Sequence, residues 1–177
     1  MINRHYLYAV GILALGVATR FLPHPFNFSA LGAVMLFTGF WYKDMKIWVV
    51  ILPLLIAQDW YFGWYETPVM ASVYLSYIGI YLLGRIIPKE YGVRHALGAS
   101  FGSSLLFYFV TNGAVWAFTP YYSHTFNGLL TSYYFALPFW RNSVMGDLVY
   151  GILVFEGYAY ALPYLRTWMT KNLRTSL

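Results

Sequence analysis

Mainly apolar stretches alternate with short polar segments along the whole chain, and six of the apolar stretches are candidate membrane spans. A helix needs about 20 residues to cross the hydrocarbon core of a bilayer. The first two stretches are short for a full crossing, so local thinning of the bilayer or burial of the helix ends in protein has to accommodate them. The pattern predicts six transmembrane helices, over about Tyr6–Phe21, Phe28–Tyr42, Ile47–Phe62, Val69–Ile87, Ala96–Phe118 and Val144–Leu165.

A further apolar stretch, from Phe126 to Leu137, precedes the last predicted helix and is closed by Pro138. It is too short to span a bilayer, so we expect a re-entrant or interfacial helix there. No linker, low-complexity tract or clear internal repeat divides the chain. The predicted fold class is therefore an all-α polytopic membrane protein, with one transmembrane domain over residues 1–177.

Composition supports a membrane location. The chain is 60% hydrophobic and 10% charged, whereas a soluble domain carries roughly a quarter charged residues. Cysteine is absent, which excludes disulfides and thiolate metal sites. The net charge of +5 is spread between the apolar stretches, so we expect no nucleic-acid partner. The first apolar stretch lacks a small-residue cleavage site, which favours a retained helix over a signal peptide.

The distribution of basic residues predicts the orientation. If the six helices alternate, one side of the membrane holds nine of the eleven lysines and arginines, and the other holds only Arg20 and Arg141. Positive residues concentrate on the cytoplasmic side. We therefore expect both termini in the cytoplasm of a cell with an inner (plasma) membrane. The nine are Arg4, Lys43, Lys46, Arg85, Lys89, Arg94, Arg166, Lys171 and Arg174.

The segment Arg20-Phe-Leu-Pro-His-Pro-Phe-Asn27 lies between the first two helices and carries a guanidinium, an imidazole and an amide. Its two prolines disfavour helix, and Asn27 or Ser29 is the expected N-cap of the next helix. In the predicted topology, other helices bring polar groups to the same outer pole. The candidate substrate-binding residues are Arg20, His24, Asn27, Asp59, Asn112, Arg141, Asn142 and Asp147.

These residues have two interpretations. Ionisable groups at membrane depth cost at least ~2.5–3.5 kcal/mol each, so they tend to be paired and functional. The cluster is either a ligand site or two structural ion pairs, Arg20–Asp59 and Arg141–Asp147, that hold the loops. His24 is weaker evidence, because a lone histidine is more often a loop residue than a ligand.

Aromatic side chains crowd the same pole and also have two interpretations, which are not exclusive. They form the interfacial belt of membrane proteins, or a stacking wall for a flat heterocycle or a cation. They are Trp60, Tyr61, Trp64, Tyr65, Trp116, Tyr121, Tyr122, Tyr133, Tyr134 and Trp140.

Small residues predict close helix packing. Ala14-x-x-x-Ala18 and Gly98-x-x-x-Gly102 let backbones approach, either within the chain or at a partner interface. Glu156 lies nine residues after Asp147, which places it about 900° further around a helix and on the opposite face. We expect it to meet another helix or a partner subunit.

Several motifs resemble those of a bacterial family of uncharacterised transport proteins. The resemblance covers about residues 20 to 155, and its motifs occur in the same order. Trp64 departs from the family pattern, which usually has Phe there. The motifs are Arg20–Ser29 with Ala33–Gly39, Asp59 with Phe62-Gly63-Trp64, Thr111-Asn112 with Trp116, Pro138–Asn142, and Gly146-Asp147 with Tyr150.

That family in turn resembles the substrate-binding S components of energy-coupling factor (ECF) vitamin transporters. The resemblance implies six membrane helices, cytoplasmic termini, an outward-facing site for a vitamin or metal ion, and handover to a T component with ATPases. The first helix of S components often contacts the T component through an Ala-x-x-x-Ala motif, which Ala14 and Ala18 match.

The leading hypothesis is an integral membrane transport protein that captures a small, vitamin-like solute at its outer face. The alternative is a non-catalytic structural subunit of a larger membrane complex, which the short first helices and Glu156 favour. A membrane enzyme using Asp59, Asp147 and His24 has suitable residue types, but HExxH, serine-elbow and phosphate-loop motifs are absent. We therefore expect no enzymatic activity, no cofactor and no protein-bound metal; the expected partners are the bilayer, the solute, and a T component with ATPases or another membrane complex.

Overall fold

Six α-helices make up almost all of the computed structural model, which describes the backbone of residues 4–88 and 93–174 and the side chains of residues 10–88 and 95–160. The predicted all-α class is confirmed, and the described residues contain no strand. Short 3₁₀ turns at Thr19–Phe21 and Met45–Ile47 join the early helices. The helices are α1 (Arg4–Ala18), α2 (Leu31–Trp41), α3 (Trp48–Phe62), α4 (Thr67–Ile86), α5 (Val93–Phe118) and α6 (Phe126–Arg174).

Three stretches of the described residues are long and apolar enough to cross a membrane, namely Met45–Phe62, Thr67–Ile86 and His95–Phe118. Val10–Phe21 and Leu31–Trp41 are apolar but shorter. Many large apolar side chains of the three long stretches face outward, such as Val49 and Leu75, as expected of surfaces in contact with lipid. The structure is that of an all-α membrane protein. Among the basic residues that predict its orientation, Lys89 and the side chains of Arg4, Arg94, Arg166, Lys171 and Arg174 lie outside the described part.

α2 is a short central helix enclosed by its neighbours. It has 11 residues, and every side chain from Leu31 to Phe40 is buried. It packs on α1, α4, α5 and α6. So short an apolar stretch requires either local thinning of the bilayer or burial of the helix in protein, and the structure supports burial in protein.

α2 and α4 cross with their backbones in contact. A Cβ atom on Gly39 would overlap the carbonyl oxygen of Tyr81, and one on Gly84 would overlap the carbonyl oxygen of Leu36. The Tyr81 hydroxyl also donates a hydrogen bond to the carbonyl of Tyr42 at 2.6 Å. Only glycine permits this spacing on each side of the crossing.

The prediction of a separate short helix before the last span is wrong. A single helix, α6, runs without a break through Pro138 and is 49 residues long. At ~1.5 Å per residue it is roughly 70 Å long, more than twice the ~30 Å thickness of a hydrocarbon core. Proline weakens the hydrogen-bond ladder in the preceding turn, and a neighbouring helix can satisfy such carbonyls. The Tyr108 hydroxyl of α5 donates to the Tyr133 carbonyl at 2.7 Å, one residue before the Tyr134 carbonyl that has no N–H partner at Pro138. A bond from α5 therefore holds α6 close to the proline.

Candidate functional site

A cavity of about 350 Å³ lies beside the N-terminus of α2, bounded by α4, α5, α6 and the polar loop of residues 22–30. Its polar lining consists of Arg20, His24, Asn27, Ser29, Ser143 and Asp147. Its aromatic lining consists of Phe26, Tyr65, Tyr77 and Phe107. Gly32, Val73 and Ile80 complete the wall.

Asp147 of α6 covers the N-terminus of α2. Ala30, the N-cap residue of α2, provides no side-chain hydrogen bond to the first turn, whose N–H groups need acceptors. The Asp147 carboxylate lies against the backbone N–H of Ala33 and occupies the space that a Cβ on Gly32 would need. A residue from a distant helix therefore replaces the missing local cap, and the partial positive charge of the helix end stabilises the carboxylate. Asp147 is only 6% exposed.

Arg20 and Asp59 form the second polar group of this region. Their closest side-chain atoms, Nη1 and Oδ1, are 3.9 Å apart. The Tyr74 hydroxyl donates to Asp59 Oδ2 at 2.7 Å, and the Arg20 guanidinium lies 5.2 Å from the centre of the Phe62 ring. Arg20 lines the cavity, whereas Asp59 does not. The predicted Arg20–Asp59 pair is therefore present.

The loop of residues 22–30 is fastened over the cavity by backbone contacts. The Asn142 side chain donates to the carbonyl of Phe26 at 3.0 Å, and the hydroxyl of Thr19 accepts from the N–H of Ala30 at 3.4 Å. His24 Nδ1 donates to the carbonyl of Pro25 at 2.8 Å. These bonds hold His24 and Phe26 in the cavity wall.

The expected cap of α2 by Asn27 or Ser29 is wrong. The helix begins at Leu31 with Ala30 as N-cap, and Asn27 adopts a left-handed conformation with φ 62°. Asparagine tolerates this region better than most residues. Asn27 therefore makes the bend that returns the loop to α2, and it still lines the cavity.

Besides Asp59, three of the candidate residues do not line the cavity. Asn112 lies in the α5–α6 interface, where its side chain donates to the carbonyl of Tyr108 at 2.8 Å and its carbonyl accepts from Ser132 at 3.0 Å. Arg141 is exposed. Asn142 acts through its bond to the loop. Of the eight candidates, four line the cavity: Arg20, His24, Asn27 and Asp147.

The alternative pairing of Arg141 with Asp147 is wrong. Six residues on a continuous helix correspond to about 600° of rotation, so the two side chains point to different sides of α6. Arg20–Asp59 is the one ion pair within the described side chains. A loop at the start of the last helix would have allowed the pairing, but α6 has no such loop.

Most of the aromatic residues singled out in the sequence fit the interfacial belt better than a pocket wall. Trp60, Trp64 and Tyr121 are well exposed, and only Tyr65 of that set lines the cavity. Tyr65 lies in the α3–α4 connection, where burial and then the charge of Asp59 raise its pKa to about 12. Its hydroxyl is therefore neutral and available as a donor near pH 7.

The sequence reasoning missed the wall formed by α4 and α5. Val73, Tyr77 and Ile80 follow a spacing of four and three residues and share one face of α4. The ring of Tyr77 lies 5.5 Å from that of Phe107, centre to centre. The spacing was visible in the sequence, but α4 is apolar on nearly every face, so it did not distinguish a cavity wall from a lipid-facing or core position.

The small residues of the two predicted packing patterns do not contact other helices closely at every position. Ala14 and Ala18 are exposed on α1, and a Cβ on Gly98 or Gly102 of α5 would meet no atom within 4 Å. Their predicted role at a partner interface stays a prediction. No group of three or more histidine or acidic side chains that could hold a metal ion occurs in the described part of the chain.

Comparison with known proteins gives a family assignment without a function. No curated protein matches the chain, and no solved structure matches it. One family model, described as a family of unknown function, matches residues 1–170. The chain therefore belongs to the DUF6580 family.

Proposed function

We propose that this membrane protein is a transport protein that captures a small solute in the cavity beside the N-terminus of α2. The observation that carries the proposal is the polar lining of that cavity by Arg20, His24 and Asp147. Only 10% of the chain is charged, and ionisable groups among apolar helices are costly, so those that occur tend to be functional. A cavity of about 350 Å³ lies within the range of small-molecule sites.

The proposal includes six membrane crossings with both termini in the cytoplasm. The excess of lysine and arginine on one set of connections supports this orientation. Since Arg20 and the α3–α4 connection belong to the other set, the cavity would then open to the outside. The solute would enter past the loop of residues 22–30.

The absence of cysteine makes the orientation directly testable. Lys43 and Glu66 are both exposed, in the α2–α3 and α3–α4 connections. We expect a membrane-impermeant maleimide to label Glu66→Cys in intact cells and Lys43→Cys only after the membrane is permeabilised. The reverse pattern, or equal labelling of both in intact cells, would contradict the proposed orientation.

Solute capture is tested by native mass spectrometry of the protein purified in a mild detergent, followed by extraction of any retained molecule. Val73→Trp projects a large ring into the cavity, whereas Leu75→Trp is a matched substitution on the exposed side of the same helix. We expect a retained small molecule in the native protein and in Leu75→Trp, and its loss in Val73→Trp. Equal retention in both variants would contradict the assignment of the cavity.

The resemblance to S components extends the proposal to partners. A T component with ATPases would dock on α1, where Ala14 and Ala18 are exposed and would let another helix approach. Ala14→Trp combined with Ala18→Trp should then abolish co-purification of a partner without loss of the folded protein. Unchanged co-purification would move the interface elsewhere.

A second candidate function is that of a subunit in a larger membrane complex. The observation that favours it is Glu156, an exposed acid on a stretch of α6 where Leu153 and Tyr160 are also exposed. A carboxylate facing lipid is unfavourable, and a partner helix would relieve it. A photoactivatable cross-linker at position 156 should capture one defined partner, whereas capture of lipid alone would exclude a partner at this face.

A further inference from the structure

The chemistry of the cavity narrows the class of solute, on the condition that the cavity binds one as proposed above. We infer that the solute is a small organic cation with a flat ring, whose charged nitrogen is held by Asp147 and whose ring lies between aromatic side chains. Two independent features of the wall carry this inference: a buried carboxylate without a cationic partner, and a set of aromatic faces around it.

Asp147 is the only carboxylate in the lining, and only 6% of its surface is exposed. No cationic side chain of the described residues lies within ion-pair distance of it. The nearest candidate in sequence, Arg141, is exposed on another side of α6. The α2 N-terminus offers the carboxylate only a partial positive charge, about half an elementary charge, so a full cation in the cavity would complete the compensation.

Arg20 does not supply the positive charge that Asp147 lacks, because Arg20 is already paired with another carboxylate. The guanidinium is paired with Asp59 and lies over the ring of Phe62. The net charge of the Arg20–Asp59 pair is zero, which leaves Asp147 as the carboxyl group of the lining that has no cationic partner among the described side chains. An anionic solute would have to lie in the same small cavity as this carboxylate, and like charges at short range repel.

The aromatic residues supply the second half of the site. Phe26, Tyr65, Tyr77 and Phe107 reach the cavity from the polar loop, the α3–α4 connection, α4 and α5. Aromatic faces attract cations, and the attraction is strongest where water is excluded. The same faces stack on flat rings. The volume of about 350 Å³ suits a ligand of one or two fused rings.

Three indole compounds that differ in charge test the inference: tryptamine, a cation; tryptophol, which is neutral; and indole-3-acetate, an anion. We expect calorimetry in detergent to show tryptamine binding at least about 30-fold more tightly than either of the others, as for a buried charge pair. Asp147→Asn keeps the shape and an oxygen against the Ala33 N–H, and it should remove this preference. Glu156→Gln, the same change on the outer face of α6, should preserve it.

A second pair of variants tests how much the aromatic ring of Tyr77 contributes to tryptamine binding. Tyr77→Leu removes the ring and should weaken tryptamine binding about 2- to 30-fold and tryptophol binding less. Tyr77→Phe keeps the ring and should weaken tryptamine binding by less than Tyr77→Leu does. Thermal unfolding of each variant verifies folding.

The inference and the proposed function fail in different ways. Equal or tighter binding of indole-3-acetate, unchanged selectivity in Asp147→Asn, or no saturable tryptamine binding would overturn the cation assignment. Retention of a native anionic or neutral molecule that Val73→Trp displaces would overturn it as well, but would uphold the cavity as a solute site. Retention that is insensitive to Val73→Trp would remove both.

Discussion

The two ends of α2 are both built on a glycine, but they differ in what the glycine faces. Near the C-terminus Gly39 faces the backbone of α4, and a Cβ there would overlap the Tyr81 carbonyl oxygen. Near the N-terminus Gly32 faces the Asp147 carboxylate, at the edge of the cavity. The first end is a contact between two rigid backbones, and the second is a contact with a side chain that can rotate. The difference indicates a rigid backbone contact between Gly39 and Tyr81 at one end of α2, called here the Gly39 joint, and a site that can adjust at the other end.

The joint should be the most sensitive position. Gly39→Ala forces a methyl group into a backbone oxygen, and because a backbone cannot rotate away we expect a loss of about 3 kcal/mol or more in the free energy of unfolding. Unfolding in mixed micelles on addition of a denaturing detergent measures it. Gly98→Ala, which meets no neighbouring atom, is the control and should change stability by less than about 1 kcal/mol.

The same substitution at the other end should do less to stability and more to function. Gly32→Ala displaces the Asp147 carboxylate, which can turn into the cavity, so we expect a loss of about 1–3 kcal/mol. Because the turned side chain would occupy the site, retention of the native solute should fall as well. A stability loss equal to that of Gly39→Ala would show that Asp147 is as rigid as the backbone joint and would remove the contrast.

The third prediction concerns Asp59, the ion-pair partner of Arg20 at the cavity end of the molecule. Tyr74→Phe removes the hydroxyl that donates to Asp59 at 2.7 Å, and we expect a loss of about 1.5 kcal/mol, as for a hydrogen bond to a charged group. Thermal unfolding of the variant measures this. Tyr121→Phe, the same change at an exposed site, should have no effect. No loss in Tyr74→Phe would mean that Arg20 and the Gln58 side chain, which donates to Asp59 Oδ1 at 3.4 Å, suffice to hold Asp59.

The smallest expected effect is the coupling between Arg20 and Asp59. Their separation of 3.9 Å and the 31% exposure of Arg20 place the pair close to a surface ion pair, worth about 0.5–1 kcal/mol. A double-mutant cycle with Arg20→Met and Asp59→Asn measures the coupling energy, which should fall as salt is added. A coupling of several kcal/mol would mean that the cavity end is as tightly fixed as the Gly39 joint.

Much of this comparison was accessible from residue types alone. Polar groups among apolar helices are costly, which singles out Arg20, His24, Asn27 and Asp147 in the sequence, and all four line one cavity. The Arg20–Asp59 pair was also among the expected arrangements. Arg141 and Asn112 met the same criterion, but one points outward and the other bonds within the α5–α6 interface. Residue type indicates that a polar group needs a partner, but not which partner it finds.

The sequence by itself determined the all-helical membrane class, because hydropathy and helix formation depend on residues that are close together in the chain. Only the tertiary structure decided that α6 passes through Pro138, that α2 is capped by Asp147, and that Tyr77 and Phe107 complete the cavity wall. Each of these depends on a contact between residues far apart in the chain. Such contacts follow from how the helices pack, and an apolar helix that looks alike on every face does not reveal which side it buries.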